Sequence, residues 1–198
     1  MNLKVEGTDA RVQAVIAGAD DFSTVLARLD DRVSQLWGSW RPPQWPDLSR
    51  WQVPPPTGAK ITRFKMVTPV CCTPLQAVRA MDAMDYDVHL FNDKETGEDA
   101  IVYRAGPSGM RLSRQRRMYP PAWLRWPSGV PDDKPRIVVN SFRTPTISVS
   151  DALDRVCSHQ LRFLFFTDTT SGRGHLLHPR CDGNLSLVVP KGIRHNDD

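Results

Sequence analysis

The sequence predicts an α+β fold in which two tandem β-α-β-β-β units pack on each other as an intramolecular pseudo-dimer, preceded by a strand-strand-helix segment. The first observation behind this prediction is an internal repeat: the segments Asp93–Gly97 and Asp168–Gly172 stand 75 positions apart (168 − 93). The register holds without a gap from residues 77–112 to residues 152–187. A shared pattern of apolar positions over this length indicates one small fold used twice.

The second observation is a strand that is apolar on both faces. Phe163–Phe166 does not alternate with polar residues, so both of its faces should be covered. Its own helix can cover one face, and the matching segment Val88–Phe91 of the first repeat is a candidate for the other. Ordinary burial under a linker is the alternative. The predicted interface between the repeats comprises Val88, Leu90, Phe91, Phe163, Phe165 and Phe166.

Two proline-rich linkers divide the chain. Residues 38–59 contain six prolines, and residues 114–134 combine arginine, proline and tryptophan, so neither segment suits a helix or a sheet. The predicted segments are a strand-strand-helix unit (1–37), a linker (38–59), the first repeat (60–113), a second linker (114–134), the second repeat (135–190) and a tail (191–198).

The first segment has the pattern of a hairpin followed by a helix. Leu3 and Val5 alternate with polar neighbours, and the alternation resumes at Val12, Ala14 and Ile16, which is typical of two strands. The apolar residues of 22–36 then recur on one stripe at helical spacing, which predicts an amphipathic helix.

Each repeat is predicted to follow one order of elements. In the first, Ile61–Met66 is a strand, and Thr73–Gln76 is a capping box with proline at the first helical position. The remaining strands predicted in the first repeat are Val88–Phe91, Ile101–Arg104 and Met110–Leu112. The second repeat has the same predicted order: the strand Ile137–Val139, a helix over about 148–159, and the strands Phe163–Phe166, Leu176–His178 and Leu185–Val189.

Charge is distributed unevenly along a chain whose formal net charge is +4. Residues 72–100 carry two basic and seven acidic side chains, whereas residues 111–126 carry five arginines and no acid. A nucleic-acid surface is therefore expected between the repeats or near the N-terminus.

The arginines after the first repeat are interleaved with aromatic residues, a mixture that suits single-stranded or looped RNA. A solvated linker is the competing interpretation. A second, weaker group lies near the N-terminus, where acidic neighbours dilute it. The predicted RNA-binding residues are Arg11, Arg28, Arg32, Arg111, Arg114, Arg116, Arg117, Trp123, Arg125 and Trp126.

Other chemistry finds little support in the sequence. His175, His178 and Cys181 suggest a metal-dependent enzyme or sensor, but positions three apart on a strand point to opposite faces, so no metal site is predicted. No Ser-His-Asp set, phosphate loop or nucleotide fingerprint is present, and we expect no catalytic residues, no cofactor and no small-molecule substrate. The four cysteines form no disulfide framework, and no apolar run reaches membrane-spanning length.

The first repeat resembles a known family. Its motifs are a capped helix from Thr73, an apolar strand over 87–93 ending in acidic residues, Glu95-Thr-Gly and Val102-Tyr-Arg. These resemble the C-terminal domain of long-form ribosome hibernation-promoting factors, of the sigma-54 modulation protein family. Residues 80–91 and 104–109, together with the tandem second copy, are most similar to the actinobacterial branch of that family. Residues 1–37 resemble the end of the family's N-terminal ribosome-binding domain.

The resemblance implies a function. Family members bind the small ribosomal subunit and its rRNA through the N-terminal domain and silence translation under stress, and a C-terminal domain usually pairs two copies. Here residues 1–37 match only part of the N-terminal domain, and two C-terminal units stand where the family has one. We therefore expect a non-enzymatic, cytoplasmic, monomeric hibernation factor. The alternative is a ribosome-independent adaptor that uses the tandem repeats to bind a protein.

Overall fold

The computed structural model describes residues 2–5, 8–12, 22–38, 58–105, 109–121, 137–180 and 182–192. The helices are α1 (Phe22–Trp37), α2 (Pro74–Ala83) and α3 (Val149–Ser158). The strands are β1 (Asn2–Val5), β2 (Thr8–Arg11), β3 (Ile61–Val67), β4 (Cys71–Cys72), β5 (Val88–Asp93), β6 (Asp99–Ala105), β7 (Gly109–Arg114), β8 (Ile137–Val139), β9 (Thr146–Ile147), β10 (Leu164–Asp168), β11 (Gly174–Pro179) and β12 (Leu185–Pro190). Each strand and helix predicted within the repeats is present to within two residues, and the short strands β4 and β9 were not predicted.

Both repeat helices begin at a capping box. Thr73 Oγ1 accepts a hydrogen bond from Gln76 N at 3.3 Å, and Gln76 Oε1 accepts one from Thr73 N at 3.0 Å. Ser148 and Asp151 form the same reciprocal pair at the start of α3. Because each box satisfies two backbone donors that a helix leaves unpaired, it fixes where the helix starts.

Within the described residues, the strands form two five-stranded sheets and one hairpin. The first sheet has the order β4-β5-β6-β7-β8, and the second has the order β3-β12-β11-β10-β9. The repeats thus exchange their first strands: β3 lies parallel to β12 of the second repeat, and β8 lies parallel to β7 of the first. The two β-α-β-β-β units are interleaved, which the sequence did not predict.

After each exchanged strand, a short connection leads the chain back to the sheet of its own repeat. After β3, Val70 O accepts a hydrogen bond from Asn92 N at 3.0 Å, and β4 then pairs with β5. After β8, Pro145 O accepts one from Thr167 N at 2.9 Å, and β9 then pairs with β10. The corresponding residues of the two bonds stand 75 positions apart, so the exchange follows the repeat in both directions.

Each sheet has an apolar core on its helix side, and a third cluster joins the two sheets. In the helix-side cores, α2 packs on Phe91 and α3 packs on Phe166. The third cluster contains four buried residues that form two pairs at the repeat offset, namely Leu90 with Phe165 and Ile101 with Leu176. Strands β5, β6, β10 and β11 are therefore covered on both faces, which explains why each contains two or more consecutive apolar residues, such as Leu90-Phe91 and Leu176-Leu177.

The N-terminal elements pack against the first repeat. β1 and β2 form an antiparallel hairpin, and α1 buries Val25 but leaves Phe22 and Trp37 more than half exposed. Arg32 of α1 joins this segment to α2, because its Nη2 lies 3.2 Å from Asp82 Oδ1. Ala14 and Ile16, expected in the second strand, lie outside the described residues.

Candidate nucleic-acid interface

Arg114 is fully buried, so its predicted role as an RNA contact is wrong. Its Nε lies 2.6 Å from Asp93 Oδ2, and its Nη2 lies 3.3 Å from Glu95 Oε2. The guanidinium also stacks over the Tyr119 ring at 5.1 Å and donates to the Tyr119 backbone oxygen. A buried charge has to be paired, and acidic β5 supplies the partner. Arg114 therefore fastens the start of the second linker to the first repeat.

Arg116 and Arg117 remain available to solvent. Their side chains are 79% and 55% exposed. Glu98 Oε2 accepts hydrogen bonds from both backbone nitrogens, at 3.1 and 3.2 Å. Its Oε1 lies farther from the two guanidinium groups, 3.6 and 3.8 Å from their Nε atoms. Glu98 thus fixes the backbone of the arginine pair and leaves both side chains able to meet an external anion.

The other predicted RNA-binding residues are scattered. Arg111 is exposed on β7. Arg11 borders a cavity of about 420 Å³ between the N-terminal hairpin and the first repeat. Arg32 is taken up by Asp82, so in this arrangement it does not present its charge outward. The Arg28 side chain, Trp123, Arg125 and Trp126 lie outside the described residues.

A second group of cations, not predicted from the sequence, lies on the exchanged strand β3. Arg63 and Lys65 are both exposed. Strand pairing sets Arg63 beside Ser186 and Ser186 beside His178, so these three residues form a row across β3, β12 and β11. Arg180 follows β11 directly. In the part of the chain that the structure describes, no acid pairs with Arg63 or Lys65. Alternation along 61–67 was visible in the sequence, but the strand exchange that creates this row was not.

Three histidines near these surfaces are held in the neutral form. Burial lowers the pKa of His89, and Lys65 lowers it further. Burial also lowers the pKa of His178, with added repulsion from Lys65 and other nearby cations. The pKa of His175 is lowered by burial as well, and its ring packs edge-on against Phe166 with centres 5.6 Å apart. The positive charge on this surface at neutral pH therefore comes from Arg63 and Lys65, whereas His178, in the row with Arg63, is neutral.

The predicted interface residues divide into two groups. Val88, Leu90, Phe163 and Phe165 lie in the cluster that joins the two sheets, where Phe163 also meets Tyr103 edge-on at 5.1 Å. Phe91 and Phe166 lie instead in the two helix-side cores, so their assignment to the interface is wrong. The reason is strand geometry, since successive side chains point to opposite faces.

Cys71 and Cys72, the vicinal pair before α2, differ in exposure. Cys71 is exposed, and burial raises the pKa of the Cys72 thiol to about 11, with Cys71 and Asp93 adding to the effect. Among the described residues, which exclude Cys181, no three or more His, Cys, Asp or Glu side chains are placed to hold a metal ion. None of the helices described is both long and apolar enough to span a membrane.

Comparison with known proteins identifies relatives of both the first repeat and the whole chain. The family described as "Sigma 54 modulation/S30EA ribosomal protein C terminus" matches residues 57–112. Two relatives, from Mycobacterium tuberculosis strains CDC 1551 / Oshkosh and H37Rv, are each named "Dormancy associated translation inhibitor". Each is 51% identical over 194 residues, which cover 97% of this chain and 70% of the relative. The predicted resemblance to the actinobacterial branch is confirmed.

Proposed function

This chain belongs to the sigma 54 modulation/S30EA ribosomal protein family, and from that premise we propose that it binds the small ribosomal subunit and represses translation during dormancy. The observation that carries the proposal is its 51% identity, over 97% of its length, to proteins named dormancy associated translation inhibitors. Identity at this level over the repeats and the N-terminal elements supports a shared role. We propose a cytoplasmic, non-enzymatic factor that acts by occupying the ribosome.

The two repeats, in this proposal, pair within one chain and replace the two copies of a dimer. The exchange of β3 and β8 and the shared cluster around Leu90 and Phe165 support this arrangement. A molecule whose pairing surfaces are already filled has none left for a second copy. The proposed factor is therefore monomeric and holds ribosomes singly.

Contact with rRNA phosphates is assigned to exposed cations on two surfaces. Arg111 lies on β7 of the first repeat, Arg116 and Arg117 directly follow that strand's end, and Arg63 and Lys65 lie on the exchanged strand. Each guanidinium or ammonium group that replaces a counterion on a phosphate strengthens binding in a salt-dependent way. Glu98 holds the Arg116–Arg117 backbone, and buried Arg114 holds the preceding residue position against Asp93 and Glu95.

Cell-free translation tests the proposed repression. Adding the purified protein to a system with ribosomes from its source organism should reduce synthesis of a reporter in proportion to the protein-to-ribosome ratio. A variant with Arg116 and Arg117 both replaced by Ala should require more protein for the same reduction. Unchanged synthesis at a large excess of protein over ribosomes would contradict the proposal.

A ribosome-independent adaptor is the second candidate, because one surface favours a protein partner. Phe64 and Met66 of β3 are 68% and 66% exposed, on an edge strand of the second sheet. Exposed apolar side chains on a strand edge are typical of binding surfaces. If the adaptor role holds, replacing Phe64 and Met66 by Ser should abolish partner binding and leave translation in the cell-free system unaffected.

A further inference from the structure

The polar contact between the two repeats is asymmetric. Asp99 of β6 is almost fully buried and receives a bidentate contact from Arg173, with Oδ2 2.6 Å from Nε and Oδ1 2.9 Å from Nη2. Gly174 N also donates to Asp99 Oδ2 at 2.9 Å. One carboxylate of the first repeat thus accepts three hydrogen bonds from the start of β11 in the second.

The repeat offset shows why this contact cannot be made twice. Asp99 and Gly174 stand at equivalent positions, and so do Glu98 and Arg173. The acid is therefore present only in the first repeat, and the cation facing it only in the second. At Gly174 a Cβ would lie 2.7 Å from the Asp99 Cβ and 2.7 Å from the Phe165 ring. The second repeat thus lacks a side chain at the position against which the first places its carboxylate.

Gln115 adds a second one-sided contact. Its Nε2 donates to Thr167 Oγ1 and to Gly172 O, both at 3.0 Å, and its Oε1 accepts from Asp99 N at 3.3 Å. The equivalent position in the second repeat is Pro190, which has no side-chain donor. Both repeats contribute apolar residues to the interface, but the side chains that make these polar contacts, Asp99, Gln115 and Arg173, are replaced by Gly174, Pro190 and Glu98 at the equivalent positions.

We propose that this contact is a partner-selection site, at which the first repeat accepts the second repeat and rejects a copy of itself. Two first repeats in this arrangement would bury Asp99 against Asp99, which is unfavourable because neither charge is compensated. Two second repeats would leave Arg173 without its carboxylate and Thr167 without its amide donor. Only the mixed pair satisfies all of these groups.

The site directs closure within one chain. A linker between the repeats gives the second repeat of the same molecule a high effective concentration at the first. The contact of Asp99 with Arg173 then disfavours the remaining alternative, in which the same repeat of two molecules pairs symmetrically through its apolar face. The inference rests on the proposed pairing of the repeats and is independent of ribosome binding, so the test uses the free protein.

Charge reversal in the full-length chain tests the site. Asp99→Arg sets two cations together, and Arg173→Asp sets two acids together. Each single variant should lose about 10 °C in melting temperature, because no pairing of its repeats brings opposite charges together at this site. The double variant should recover at least half of that loss and sediment as a monomer. An equimolar mixture of the single variants, refolded together, should form a heterodimer, because each supplies the complement that the other lacks.

Milder changes cover the case in which a reversed variant does not fold. A double-mutant cycle in urea unfolding uses Asp99→Asn, Arg173→Gln and their combination. The losses in free energy of unfolding should be non-additive, and the double variant should be no less stable than the less stable of the two single variants. Gly174→Ala adds the Cβ without charge and should destabilise the protein without promoting association. The inference would be overturned by additive losses in the cycle, by no recovery in the reversed double variant, or by a mixture that sediments as two unassociated species.

Discussion

At the scale of single residues, buried charge distinguishes the first repeat from the second. Asp93 and Arg114 are both fully buried and paired, and Asp82 pairs with buried Arg104 at 2.8 Å. The position equivalent to Arg114 in the second repeat is Val189, and there Asp168 accepts hydrogen bonds from Ser171 instead. Each repeat therefore satisfies the same turn aspartate with different chemistry.

Removing Arg114 should destabilise the protein strongly. Arg114→Met leaves the buried Asp93 carboxylate without its cation, a change that typically costs about 3–5 kcal/mol. Urea unfolding monitored by circular dichroism measures the loss. The matched control is Arg116→Met, whose side chain is 79% exposed and should change stability by less than about 0.5 kcal/mol. Equal losses for the two variants would contradict the assigned role of Arg114.

Acid should weaken the fold near the ordinary pKa of histidine. Because the pKa values of His89, His175 and His178 are lowered in the folded state, the unfolded chain binds protons at a higher pH. The stability they contribute is complete above about pH 6.5 and is lost as the pH falls below it. Urea midpoints measured from pH 7.5 to pH 5 should fall.

A variant with these three histidines replaced by Gln provides the comparison. Its urea midpoint should vary less over the same pH range, whereas His159→Gln, at an exposed position, should follow the parent protein. A parent protein that is equally stable at both ends of the range would show that these side chains do not resist protonation as expected.

At the scale of elements, the sequence predicted the positions of the helices and strands within the repeats, but it did not predict which strands pair across the two repeats. The capping box at Thr73 predicted the start of α2, because capping depends on residues three positions apart, whereas the box at Ser148 was identified only in the structure. The strand Phe163–Phe166 is apolar on both faces, which predicted a second covering layer, and the structure has one, because Phe165 and Phe166 lie in two different apolar clusters. Strand exchange was not predictable, because β3 has the same alternation whichever sheet it joins.

The same limit applies to the candidate site. Clustered arginines at 111–117 suggested one continuous basic surface, but the side-chain directions split them, and Arg114 points inward to an acid 21 positions away. The row containing Arg63 and His178 joins residues of different repeats, so no sequence window contained it. Asp99 and Arg173 were visible as a difference between the repeats, but their contact required the fold.

A charge placed in the shared cluster should unfold both sheets together. Phe165 is nearly buried and packs with Leu90 and Ile101 of the first repeat, so Phe165→Asp would bury an unpaired carboxylate in both halves at once. Hydrogen exchange should then rise in β5 and β6 as well as in β10 and β11. Phe142→Asp, at a side chain that is 76% exposed, is the control and should leave both sheets protected. Faster exchange confined to β10 and β11 would contradict a shared core.

At the scale of the whole molecule, the cations assigned to rRNA should determine how binding depends on salt. Replacing Arg116 and Arg117 by Ala removes up to two phosphate contacts, so the slope of log affinity against log salt should become shallower by about 1.5 units. Binding to small subunits at several salt concentrations gives the slope. Arg155→Ala, on the exposed side of α3, is the control.

An unchanged slope in the Arg116/Arg117 variant would assign that segment to a solvated linker. In that event the same measurement on a variant with Arg63 and Lys65 replaced by Ala distinguishes the two surfaces. A shallower slope there would place the phosphate contacts on the exchanged strand β3.

The most direct test of the account is sedimentation of the protein with ribosomes through a sucrose gradient. A closed molecule that binds the small subunit should move with the small subunit and with single ribosomes at low salt and leave them at high salt. It should produce no fraction heavier than a single ribosome, because its pairing surfaces are filled within the chain. Protein that stays at the top of the gradient at low salt, or a new fraction of paired ribosomes, would contradict the account.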